Sequence, residues 1–265
     1  MRNIVSHAYV KIFARPIFAK FNRFLFVLAA KGLGILNYET PEASGEDAFV
    51  ARVLPELDDG RSIVLDVGAN EGDFADVVLT SSRYIHVLCV EPHPKTFSRL
   101  AERFSNSERI ELLNVGAGPE DRAHRLFDYE ARDGSGHASF YREAIEDLHK
   151  GVATAIDVPV KKLDSIILNQ DRRVQIIKID VEGFERDVLV GLGETIRRHC
   201  PQYIIMEFNE MNIISHCFLR DITNMLPGYE PFRILPQGRL LPLTPYRPLF
   251  AEIFAYQNIA FVKAD

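Results

Sequence analysis

Strand, glycine turn and helix follow one another without a gap between Ser62 and Val78, and this junction limits the fold more than any other part of the chain. The apolar run Ser62-Ile63-Val64-Leu65 leads into Asp66-Val67-Gly68-Ala69-Asn70-Glu71-Gly72, after which Phe74, Val77 and Val78 recur at helical spacing. A glycine turn at such a junction lets a ligand approach the backbone beside the N–H groups of the helix start. A second apolar run, Ile85-His86-Val87-Leu88-Cys89-Val90, ends at Glu91. A carboxylate at the tip of the second strand can accept hydrogen bonds from ribose hydroxyls. Together the two junctions predict a pocket for a nucleoside-bearing cofactor.

Glycine spacing narrows the choice of cofactor. A pyrophosphate needs backbone clearance at three places, which is why dinucleotide sites show G-x-G-x-x-G. Here the pattern is D-x-G-x-x-x-G, without the middle glycine. That suits a cofactor without phosphates, such as S-adenosylmethionine, and counts against a nicotinamide oxidoreductase, the first rival. A non-catalytic module that binds cofactor or docks on a membrane is the second.

Further along, strands and helices alternate. Helical spacing predicts helices over Phe49–Leu54, opened by a capping-box pair Ser44 and Asp47, and from Pro94 to Ser105. Strands are predicted at Ile110–Val115, Leu126–Tyr129, Val158–Leu163, Val174–Asp180 and Gln202–Phe208, with a weak helix at Tyr141–Lys150 and a longer one from Phe184 to His199. This alternation indicates an α/β, doubly wound parallel sheet. The tail from Arg233 to Val262 is strand-like but broken by prolines and glycines, and reads as an antiparallel edge. No linker divides the body, so residues 44–265 form one domain behind a basic helical extension, residues 1–43.

Charge is distributed unevenly. The 265 residues carry a net charge of −6, yet Arg2, Lys11, Arg15, Lys20, Arg23 and Lys31 precede the first acidic residue, Glu39. The apolar run Phe24–Ala30 in this segment is too short to span a bilayer. A helix on an anionic membrane surface is one reading of residues 1–38; a helix packed on the main domain is the favoured one. The acidic body would repel phosphates and argues against nucleic acid as a partner. Cys89, Cys200 and Cys217 form no C-x-x-C pair, which suits a reducing, cytoplasmic compartment, with the inner membrane face open through residues 1–38.

In open α/β sheets, ligands bind beyond the carboxyl ends of the strands. The residues predicted there are Asp66, Glu91, Asn114, Asp180 and Glu207. Neighbouring strands lie about 5 Å apart, so Asp180 and Glu207, with Glu182 on the intervening turn, could share one pocket. A carboxylate whose pKa is raised by burial can take the proton from a hydroxyl undergoing methyl transfer. The same cluster could instead bind a divalent cation through oxygen ligands, or cap helices and bind loop amides. Lys178 lies two residues before Asp180 on the same strand face and could pair with it or contact substrate. His137, in the loop Gly134-Ser135-Gly136-His137-Ala138-Ser139, could reach substrate. No histidine or cysteine spacing marks a metal site.

Four segments carry a family resemblance: Asp66–Gly72; Val90-Glu91-Pro92-His93-Pro94; Lys178-Ile179-Asp180-Val181-Glu182-Gly183-Phe184-Glu185; and Glu207 after an apolar strand. With the leader Gly34-Ile35-Leu36-Asn37 and the closing Tyr256-Gln257-Asn258, the chain resembles the FkbM-type S-adenosylmethionine-dependent methyltransferases over residues 32–262. The resemblance implies a Rossmann-like class I methyltransferase sheet of seven strands, the last antiparallel, and O-methylation of a hydroxyl on a sugar, glycan or other metabolite. By position it implies that Gly68, Asn70 and Gly72 line the methionine part of the cofactor. It likewise assigns Glu91 to the ribose and Asn114 to Ala117 to the border of the adenine.

Overall fold

The computed structural model describes residues 2–131 and 134–264. Its strands are β1 (Ser62–Val67), β2 (His86–Val90), β3 (Ile110–Leu113), β4 (Gly116–Ala117), β5 (Arg122–Tyr129), β6 (Ala153–Lys161), β7 (Arg173–Ile179), β8 (Tyr203–Phe208), β9 (Tyr229–Leu235), β10 (Arg239–Pro242) and β11 (Gln257–Lys263). The main sheet has the order β10-β9-β11-β8-β7-β1-β2-β3. Strands β3, β2, β1, β7 and β8 run parallel. β11 is antiparallel to both its neighbours. This is the class I methyltransferase sheet, with its last strand inserted beside β8. The outer edge belongs to an eighth strand, β10, which pairs back on β9 as a hairpin.

Both faces of the sheet are covered, so the central strand β1 is buried along its whole length and its neighbours along most of theirs. On one face Val64, Ile176 and Ile205 pack with Phe49, Val53 and Phe74 from helices Glu46–Leu57 and Asp73–Ser81. On the other, Leu65, Ile177 and Met206 pack with Val188 and Leu192. Side chains alternate between faces along each strand. Asp66 and Lys178, register partners in β1 and β7, therefore fall on the Val64–Ile176 face.

Several elements differ from the sequence reading. The helix expected over Phe184–His199 is two, Glu185–Gly191 and Gly193–His199, separated at Leu192. Glycines flank that residue on both sides, each costing about 1 kcal/mol of helix propensity relative to alanine. The segment expected as a weak helix at Tyr141–Lys150 is helical over a shorter stretch, with a π-helix at Ala144–Leu148. β5 and β6 are longer than expected and with β4 make a separate three-stranded sheet. Helix Glu46–Leu57 starts behind Gly45, which has φ 77°, and the Ser44 hydroxyl accepts from the Glu46 amide.

The basic N-terminal helices, Arg2–Phe13 and Ala19–Gly32, do not pack into the domain as favoured above. Within the second of them the buried residue is Ala30. Tight packing starts after it: Ile35 and Asn37 are buried, and the Leu36 amide donates to the Tyr256 carbonyl at 2.8 Å. Among the described residues no helix is long and apolar enough to cross a membrane.

Candidate active site

A cavity of about 610 Å³ opens at the carboxyl ends of β2, β1, β7 and β8. That volume is within the range that encloses a ligand of cofactor size. Gly68, Asn70, Glu91 and Ala117 line it towards β1 and β2, and Asp180, Glu182, Glu207 and His137 line it towards β7 and β8.

The β1 turn is held by β2. The amides of Gly68 and Ala69 donate to the Val90 carbonyl at 2.9 and 3.1 Å. Gly68 has φ 83°, and a Cβ on it would overlap the Asp180 carbonyl. Only glycine combines that backbone conformation with so close an approach. Glu91 bridges the two junctions: its Oε2 accepts from the Asn70 amide at 3.0 Å and its Oε1 from the His93 amide at 2.8 Å. Burial pushes its carboxyl up to about 7, while the two amides pull the other way. These residues fit an adenosyl group: open backbone at the turn, and a carboxylate facing the cavity with lone pairs to spare for hydroxyls.

Around β7 and β8 the wall is acidic and mostly dehydrated. Burial, then the charges of Asp180 and Glu182, hold the Glu207 carboxyl well above the usual range. Burial also raises Glu182, against the opposing effect of His137, whose Nδ1 lies 3.3 Å from Glu182 Oε1. Glu182 sits at φ 49°, a left-handed conformation uncommon outside glycine and often found where a site holds strain. The Ser139 hydroxyl donates to its carbonyl at 2.7 Å. The His137 loop is anchored from below by Asp128, whose Oδ2 accepts from the amides of Gly134 and Ser135 at 2.6 and 3.1 Å. His149, unremarked in the sequence, stacks on His137 with ring centroids 5.3 Å apart.

Four of the expected site residues do not line the cavity. Asp66 is fully buried on the helix-covered face of the sheet, where burial raises its carboxyl to about 6 despite Lys178. Gly72 lets helix Pro94–Arg103 approach, since a Cβ there would run into Phe104 and Leu100. Asn114 donates from Nδ2 to the carbonyls of Glu91 and Pro92 at 2.8 and 3.2 Å, bracing the β2 tip. Lys178 reaches Asp180 Oδ2 at 3.0 Å from behind. Burial pulls the Lys178 ammonium down, but Asp180, Glu46 and Asp66 outweigh it and hold it well above its ordinary range. Conversely, Leu36, Tyr38 and Tyr256 line the cavity from the leader and the closing strand region. Leu36 and Tyr256 belong to the leader and closing motifs and Tyr38 directly follows the leader, but nothing in their spacing marks them as cavity residues. Among the described residues no three His, Cys, Asp or Glu side chains are arranged to hold a metal ion.

Comparison with known proteins gives this site a context. The chain is 25% identical to 2-O-methyltransferase NoeI of Sinorhizobium fredii, over 71% of this chain and 80% of that protein. It is 28% identical to the hexuronic acid methyltransferase AglP of Haloferax volcanii, over 60% and 61% respectively. Among solved structures it is similar to the O-methyltransferase from Bacillus cereus in complex with SAH, with a TM-score of 0.43, 14% identity and coverage of 98% of this chain and 97% of that one. Residues 66–224 match the methyltransferase FkbM domain. That match spans more than half of the sequence and takes in both the glycine turn and the acidic wall, so the chain belongs to the FkbM family of S-adenosylmethionine-dependent methyltransferases.

Proposed function

We propose that this methyltransferase transfers its methyl group to a hydroxyl oxygen of a sugar or glycan, with His137 as the base and Glu182 as the group that orients it. The observation that carries this reading is the Glu182–His137 contact at 3.3 Å, inside the same cavity as Glu91. With Nδ1–H directed at Glu182, the imidazole is oriented so that Nε2 would take the proton from an acceptor hydroxyl brought against it. Imidazole is the side chain whose ordinary titration lies nearest neutrality, which suits a general base.

The cofactor supplies an electrophilic methyl group on a sulfonium. Gly68, Asn70 and Ala117 would hold it, with Glu91 accepting from the ribose hydroxyls. Asp180 and Glu207 would accept hydrogen bonds from other acceptor hydroxyls and fix the ring, and Lys178 keeps Asp180 in place from below. A wall lined by Asp180, Glu182 and Glu207 offers oxygen partners to the several hydroxyls of a sugar ring. The relatives support the chemistry: one is named for 2-O-methyl transfer and another for hexuronic acid. Family membership replaces both the nicotinamide oxidoreductase and the non-catalytic module.

Incubation with S-adenosylmethionine and a panel of neutral and uronate glycans tests this reading by mass spectrometry. The expected product is a glycan heavier by one methylene unit on a hydroxyl oxygen, with loss of turnover in His137→Ala. Methylation of nitrogen acceptors alone, or of hydroxyls undiminished in His137→Ala, would overturn it.

A further inference from the structure

The N-terminal helices are unexplained by the methyl-transfer site, and they form a small structure of their own. Phe13 at the end of the first packs against Tyr9, Phe18 and Phe21, with ring centroids 4.9, 5.1 and 5.6 Å away. Asn22 locks the pair: its Nδ2 donates to the Phe13 carbonyl at 2.9 Å, and its Oδ1 accepts from the Tyr9 hydroxyl at 2.6 Å. These contacts join the two helices around their connection into a helical hairpin whose side chains are mostly exposed.

Its surface is unusual for a protein face in water. Ile4 is 73% exposed, Ile17 83%, Phe24 59% and Phe26 65%. Phe21, Phe24, Leu25 and Leu28 stand at i, i+3, i+4 and i+7, the spacing of a single helix stripe. Lys20 and Lys31 fall on the border of that stripe by the same periodicity. Lys11, Arg15, Lys20 and Arg23 are exposed, and the sequence offers no acidic residue before Glu39. Clustered apolar side chains with basic neighbours are the composition of a helix lying in the interface of an anionic bilayer.

We infer that the hairpin 2–32 docks this enzyme on an anionic membrane surface, lying on the bilayer without crossing it. Charge complementarity selects this partner. A symmetric contact with a second copy would set two net-basic hairpins against each other, whereas anionic headgroups neutralise them while the acyl boundary takes up the aromatic stripe. The hairpin runs straight into the cavity wall, because Leu36 and Tyr38 line the cavity immediately after it. Docking thus ties the active site to the membrane by a tightly packed connection.

Co-sedimentation of the full chain with vesicles tests the inference, comparing pure phosphatidylcholine with phosphatidylcholine containing phosphatidylglycerol. The wild type is expected to sediment with the anionic vesicles only, and to be released by high salt. Lys20→Gln, on the border of the stripe, should weaken binding about fivefold, the loss expected for one basic residue near the surface. Phe24→Ser with Leu28→Ser should weaken it by about 10-fold or more. Both variants should bind S-adenosylhomocysteine like the wild type, which separates this inference from the catalytic reading. Failure of the wild type to sediment with anionic vesicles would overturn it. A dimer in light scattering that Phe24→Ser with Leu28→Ser converts to a monomer, without any vesicle binding, would identify a second copy as the partner instead.

Discussion

Glu91 accepts a hydrogen bond from the backbone amide of Asn70 at 3.0 Å, so the tip of β2 and the turn after β1 are one unit. The carboxylate that would recognise the ribose also fixes the backbone over which the methionine tail would lie. A change at either residue disturbs both, and cofactor affinity should respond to Glu91 more steeply than one lost contact implies.

Cofactor binding should be pH-dependent for this reason. The Glu91 carboxyl is pushed up to about 7 by burial, and ribose hydroxyls are best accepted by its ionised form. Affinity for S-adenosylhomocysteine should therefore fall by about tenfold between pH 8 and pH 6, since one pKa unit is worth about 1.4 kcal/mol. Glu91→Gln should bind about 10- to 100-fold more weakly, with a flat pH profile. Calorimetric titration across that range checks both.

Gly68 gives a prediction about the turn itself. Alanine there would face a φ of 83° and a collision with the Asp180 carbonyl. Gly68→Ala should lose about 2–3 kcal/mol of stability and cofactor affinity together, read from urea midpoints and calorimetry. Gly60→Ala is the comparison: it shares a positive φ of 73° but meets no atom within 4 Å, and should lose less stability and no affinity.

The base assignment separates chemistry from binding. His137→Ala should lower kcat by about 10²- to 10⁴-fold while leaving affinity for S-adenosylhomocysteine unchanged. Glu182→Gln, which keeps a hydrogen-bonding group beside Nδ1 but removes its charge, should fall between the wild type and His137→Ala. Single-turnover rates with an excess of cofactor provide the measurement.

Stability should decline as pH rises towards neutrality. Glu185 is buried, accepts from the Gly183 amide at 2.9 Å, and has its carboxyl raised to about 7 by burial. A raised carboxyl binds its proton more tightly in the folded state, so its contribution is complete below about 4.5 and is lost as pH rises to about 7. Glu91 acts in the same direction. Between pH 4.5 and pH 7.5 the wild type should lose about 2–3 kcal/mol more than Glu185→Gln, measured by chemical denaturation at each pH. An equal loss in both proteins would remove Glu185 from the account.

What could be read from the sequence was mostly local. The β1 turn, the β2 tip at Glu91 and the acidic turn after β7 are each written in one short segment, and the alternation of strands with helices indicates the parallel body of the sheet. Asp66 and Lys178 were harder for a physical reason. Central strands buried on both faces lose the polar–apolar alternation that tells one face from the other, so nothing local says that both side chains point under the helices. Gly72 illustrates a second limit, because its partner, Phe104, is brought in only by the packing of helix Pro94–Arg103. In the N-terminal hairpin, apolar periodicity marks a face to be covered without naming the cover, so the sequence leaves packing on the domain and a membrane surface both open. Tyr38 and Tyr256 reach the cavity from opposite ends of the chain, a convergence set by the insertion of β11 beside β8.

A crystal structure of the complex with S-adenosylhomocysteine tests the central claim most directly. The ribose hydroxyls should lie within hydrogen-bonding distance of Glu91, with the sulfur turned towards His137 and Glu182. A nucleoside bound elsewhere, or a sulfur turned away from the acidic wall, would contradict the account.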